Sequence, residues 1–140
     1  MNMMEMVLAL FAVVLFSSIA LSYNQALWRQ TDYLFNAQLV VQSNHLCHAV
    51  LDEVDAKLFS DQITFDDIIP DFDSTTRTVY IDSQSETYNL AIAATVCDST
   101  GTILPSGSTS LFRRVDVTVS GPTALKHPVT MNRLYTRTFM

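Results

Sequence analysis

Three groups of side chains in this chain could do chemistry, and each lacks part of what its chemistry needs. His45, Cys47 and His48 place nitrogen and sulfur ligands within four positions, the types that hold zinc. On a helix His45 and His48 share a face, Cys47 points elsewhere and a fourth ligand is missing, so they read as a polar shoulder beside an apolar stripe. Asp71 and Asp73, followed by Ser74, Thr75 and Thr76, alternate oxygen ligands as calcium loops do. They lack the central Gly and the distal bidentate Glu of such a loop. No Ser stands in a Gly-flanked elbow, and no Cys–His pair has an orienting acid. The expectation is therefore a chain with no catalytic residue, no metal and no cofactor.

Glu5 is the informative exception. It is the only charged side chain in the first 28 positions, within Met1 to Leu21, a stretch otherwise suited to lipid. A carboxylate near the centre of a membrane helix costs on the order of 2.5–3.5 kcal/mol, and less near its end. The segment supplies no side chain of opposite charge. The nearest candidate is an α-amino group, its own or that of a neighbouring copy. The plainer reading is an acid at a helix start, favoured by its own N-terminal dipole.

The elements that position these residues are legible in the punctuation. The first Pro is Pro70 and the first Gly is Gly101, so nothing breaks a helix between Met1 and about Phe59. Such a helix would extend roughly 85–90 Å. Its first third is apolar on all sides. From Tyr23 it becomes amphipathic, with Phe35, Leu39, Leu46, Cys47, Val50, Val54 and Leu58 at three- and four-residue spacings. Residues 60–76, with Pro70 and five Asp, read as a loop with short local structure. The period then changes to two: 78–82, 87–97, 112–120 and 129–138 are rich in Val, Ile, Thr and Tyr. Short connections favour an antiparallel meander with one face on the helix. Val115, Val117 and Val119 share one face of the third strand. In the second, Tyr88, Leu90, Ile92, Ala94 and Val96 and the opposite set Ala91, Ala93, Thr95 and Cys97 are both apolar enough to face inward.

Composition bounds the function. A chain of 140 residues is one domain by length, with a membrane segment attached: residues 1–25 as a hydrophobic helix and 26–140 as a globular head. A net charge of −6 and thinly spread basic residues argue against sequence-specific nucleic-acid binding. Cys47 and Cys97 leave one possible disulfide. If the head lies outside the cytoplasm, closing that loop of about 50 residues would stabilise by roughly 4 kcal/mol. The alternative is two separate buried thiols.

An apolar N-terminus with Glu at position five, an unbroken long helix and a following antiparallel sheet together resemble the type IV pilin superfamily. The ending Arg114 to Pro122, Val129 to Met131 and Tyr135 to Thr138 is similar to that of many minor pilins and pseudopilins. The resemblance implies an α+β, type IV pilin-like fold, its helix packed on about four strands. It implies that a basic leader is removed by a prepilin peptidase in the bacterial inner membrane and that Met1 is then N-methylated. The assembly machinery would polymerise the subunit into a homo-oligomeric extracellular filament. Met1 and Glu5 would pair between subunits, and Met6, Leu8, Phe11, Val14, Leu15 and Ile19 would form the helical core. Minor-pilin or secretion-pseudopilin roles, or a membrane-anchored binding domain that never polymerises, are the alternatives. The sequence departs from the common pilin pattern at Met1, Met3, Val14 and Ser22. The last two replace a usual Gly and Pro, so any unwinding should be small or centred on Ser17, Ser18 or Ser22, where hydroxyls can bond backbone carbonyls.

Overall fold

The computed structural model describes residues 2–82, 85–105 and 107–137. With no Gly or Pro to interrupt it, helix α1 runs Met3–Phe59. It stops where Asp61 takes a left-handed conformation (φ 52), while the Gln62 N–H donates back to the Lys57 carbonyl at 3.0 Å. That reversal satisfies carbonyls the last turn leaves open.

The segment expected as a loop with short local structure contains two short helical pieces. Thr64 and Asp67 form a capping box, the Thr64 N–H donating to the Asp67 carboxylate at 2.9 Å. It starts a 3-10 turn at Phe65–Asp67 and then a short helix α2 at Ile68–Phe72. Pro70 is accommodated because it sits in the first turn, where a missing N–H costs nothing. Ile68 and Phe72 are thereby carried into the core.

Four strands follow: β1 Thr75–Ile81, β2 Glu86–Cys97, β3 Phe112–Ser120 and β4 Val129–Thr136. They pair antiparallel in sequence order, with β1 and β4 at the edges. The architecture is α+β: an N-terminal helix packed, through its second half, on a four-stranded antiparallel meander. Strand β1 starts three residues earlier than its Val and Tyr content suggests, because Thr75 and Thr76 pair with Ile92 and Ala91. The expected end of β4 at Thr138 lies outside the described residues.

The chain divides into two compact units, Met1–Ala37 and Gln38–Met140. The second contains the core. The two-sided ambiguity of β2 resolves toward the larger side chains: Tyr88, Leu90, Ile92 and Ala94 are buried, as are Val115, Val117 and Val119 of β3. They pack with Leu39, Cys47, Val50, Leu51 and Val54 of α1. Two polar groups that enter the core are paired: the Ser43 hydroxyl donates to the Leu39 carbonyl at 2.9 Å and the Tyr88 hydroxyl to Gln42 at 2.7 Å. Each edge strand also carries an arginine tied to α1. Arg77 of β1 grips Glu53 with two nitrogens, at 2.5 and 3.2 Å. Arg133 of β4 pairs with Asp52 at 3.2 Å and with Asp55.

The disulfide does not form; Cys47 and Cys97 are both free and buried. Cys47 faces the helix side of the sheet, its thiol 3.7 Å from the Val117 carbonyl. Val117 pairs with Ile92, five residues from Cys97 along β2, which is about 17 Å at strand rise. Cys97 alternates with Ala91, Ala93 and Thr95 on the opposite face. Two sulfurs on opposite faces at that separation lie far outside disulfide geometry. Burial pushes both thiols up from their ordinary values.

Candidate assembly helix and the head it belongs to

The unit Met1–Ala37 is the part of the chain whose chemistry the fold does not consume. Between Glu5 and Arg29 lie 23 uncharged residues, 6 through 28, or about 35 Å of helix. This is long and apolar enough to cross a membrane, and none of its most apolar window is buried. The six residues expected to form a helical core, Met6, Leu8, Phe11, Val14, Leu15 and Ile19, are between 49% exposed at Leu15 and 67% at Ile19. Leu8, Phe11, Leu15 and Ile19 recur at three- and four-residue steps and share one face. Met6 and Val14 lie off that face, beside Val7, Leu10 and Val13, so the apolar surface encircles the helix.

Two hydroxyls of this unit bond to its own backbone. Ser18 donates to the Val14 carbonyl at 2.9 Å and Thr31 to that of Leu27 at 3.1 Å. Such bonds hide a hydroxyl in an apolar medium without a second chain. The helix nevertheless continues unbroken through Ser17, Ser18 and Ser22.

Glu5 sits in the first turn. Its Oε2 accepts the Asn2 backbone N–H at 3.1 Å, and the Asn2 carbonyl accepts the N–H groups of Glu5 and Met6 at 2.9 and 3.2 Å. This is half of a capping box, with the carboxylate at the positive end of the helix dipole. The acid thus has one partner within its own chain, using one of its two oxygens. Met1, expected to carry the modified amine and to pair with Glu5, lies outside the described residues.

The other chemistry-bearing residues are dispersed. His45 and His48 are exposed on α1, while Cys47 turns into the core. Asp73 is spent on the fold, its carboxylate accepting the Ala94 N–H at 3.3 Å. Among the described residues no three His, Cys, Asp or Glu gather as metal ligands do. The arrangement that sequence reasoning missed is ionic. Asp66 meets Arg113 at 3.6 Å and Arg137 at 3.1 Å, with both guanidiniums over the Phe65 ring. Its members are scattered along the chain: the antiparallel pairing of β3 and β4 sets Arg113 near Arg137, and the 3-10 turn supplies Phe65 and Asp66. A sequence signal existed for the arginines: Arg113 shares the strand alternation of Val115, Val117 and Val119, as Arg77 shares that of Val79 and Ile81 and Arg133 that of Val129, Met131 and Tyr135.

No protein-family model, no curated protein and no solved structure matches this chain.

Proposed function

We propose that this chain is a structural subunit that polymerises through its N-terminal helix into a type IV pilus-like extracellular filament, after a membrane-anchored stage. One observation carries the reading: a helix apolar on every side, with its side chains exposed and a single carboxylate in its first turn. That surface suits lipid before assembly and other copies of itself afterwards. Glu5 gives the packing a register. A neighbour staggered so that its positively charged Met1 amine meets this carboxylate compensates the buried charge, and a misregistered one leaves it uncompensated. Such a pair adds specificity of alignment more surely than net stability. Glu5→Leu should leave the subunit in the membrane fraction and lower the yield of sheared filaments about tenfold or more, the effect of losing roughly 1.4 kcal/mol per contact. Normal filaments from that variant would sink the mechanism. Mass spectrometry of the native N-terminus tests the processing route; a methylated Met1 amine is expected.

A second reading is a membrane-anchored extracytoplasmic domain that never polymerises. The bond from the Asn2 N–H to Glu5 favours it, because the carboxylate then has a reason to exist within one chain. Under this reading Glu5→Leu changes nothing outside the membrane, and shearing releases no polymer.

A further inference from the structure

The guanidinium of Arg113 is built into the head with one edge that makes no hydrogen bond. Its side chain is 13% exposed and its plane lies over Phe65, 4.9 Å from the ring centroid. Nη1 is occupied, donating to the Ser110 carbonyl at 2.8 Å and the Phe112 carbonyl at 3.2 Å. Nη2 is 3.6 Å from Asp66, beyond hydrogen-bond reach, and Nε is buried without a partner. The Nε–Nη2 edge is one that grips phosphate or carboxylate with two parallel bonds. A buried donor left unpaired is costly, and a missing ion is one of its ordinary explanations.

A cavity of about 370 Å³ adjoins this side chain, lined also by Asp66, Ser108, Thr109, Ser110 and Arg137. The Ser110 hydroxyl is spent on the Cys97 carbonyl and the Phe112 N–H. Those of Ser108 and Thr109 have no hydrogen-bond partner among the described residues. Arg137 adds a second cation, held to Asp66 at 3.1 Å. Asp66 is 55% exposed and pairs with Arg113 at 3.6 Å without a hydrogen bond, so it can turn aside.

We propose that this cavity is an oxyanion site for a phosphate group, free or carried as a monoester on a small polar molecule. Arg113 supplies the fork, Ser108 and Thr109 the hydroxyl donors, and Asp66 the charge that an entering anion displaces toward Arg137. The test is titration of the full ¹⁵N-labelled chain in neutral detergent micelles with inorganic phosphate, and separately with glycerol 3-phosphate, at ionic strength held constant with chloride. Saturable shifts are expected at the Arg113 Nε–H and at the amides of Ser108 and Thr109. Tighter binding of glycerol 3-phosphate identifies an ester as the ligand; equal or weaker binding identifies the free ion. Asp66→Asn should tighten binding about threefold, in keeping with the modest worth of a half-exposed charge. Arg113→Lys keeps the charge, loses the fork and should abolish saturation. Shifts that grow linearly with added anion, or that survive Arg113→Lys, overturn the proposal. Should that variant fail to fold, the loop pair Ser108→Ala with Thr109→Ala decides with Asp66→Asn: unchanged affinity in both overturns it.

Discussion

Helix α1 is one element with two kinds of surface. From Leu39 onward its apolar residues at three- and four-residue spacing disappear beneath the sheet, and Leu39, Cys47 and Val54 are fully buried. Before Ala37 a denser apolar surface is left exposed, and Phe16 stands 74% exposed. The backbone hydrogen bonding is the same in both. What differs is that a one-sided stripe can be covered by one sheet, whereas an all-round apolar surface can be covered only by a medium or by several neighbours. The head therefore takes its stability from within, and the N-terminal unit must take it from outside.

The largest effect expected from this contrast is a pair of truncations. Phe72→Ala should lower the unfolding free energy of the head by about 3–5 kcal/mol, since it empties a fully buried site. Phe16→Ala should move it by less than about 0.5 kcal/mol. Urea unfolding at constant detergent, followed by near-ultraviolet circular dichroism, measures both; a comparable loss at Phe16 would break the contrast. Tyr88→Phe comes next, removing the bond to Gln42 at a cost of about 1 kcal/mol.

A smaller effect is acid sensitivity. The bidentate grip of Arg77, outweighing partial burial, lowers the Glu53 carboxyl from its ordinary value to about 2. A depressed folded-state value means the contribution is fully present above about pH 4.5 and is lost as pH falls toward 2. Because the side chain is a third exposed, solvent screening keeps it under about 1 kcal/mol. Arg77→Gln should flatten the pH dependence of the urea midpoint in that window and leave filament or membrane behaviour unchanged. The smallest expected effect is that of reductant: with Cys47 and Cys97 on opposite sheet faces, dithiothreitol should not shift the midpoint.

Much of this is legible in the sequence alone. The absence of Gly and Pro before Pro70 implied the long helix, and the switch to period two implied the meander. The span of β3 was read without error because its Val alternation is bounded by a polar loop and by Gly121-Pro122. Residues 60–76, expected as a loop with short local structure, hold a 3-10 turn and helix α2; the sequence did not say where, because five Asp mask a capping box built from one Thr and one of those Asp. The inward face of β2 could not be chosen, because both faces are apolar and only the partner layer decides. The disulfide expectation failed for a related reason: pairing by elimination says nothing about which face each sulfur occupies.

By itself the sequence determined the element order, the charge-free run from residue 6 to 28 and the isolation of Glu5, because these depend only on residue type and local period. The tertiary structure alone decided that Cys47 and Cys97 lie apart and that Arg77 and Arg133 tie both sheet edges to α1. It alone set Arg113 over Phe65 with a buried Nε that makes no hydrogen bond. Such facts depend on register and on which face meets which layer, and each arises between residues too distant in the chain for local pattern to encode.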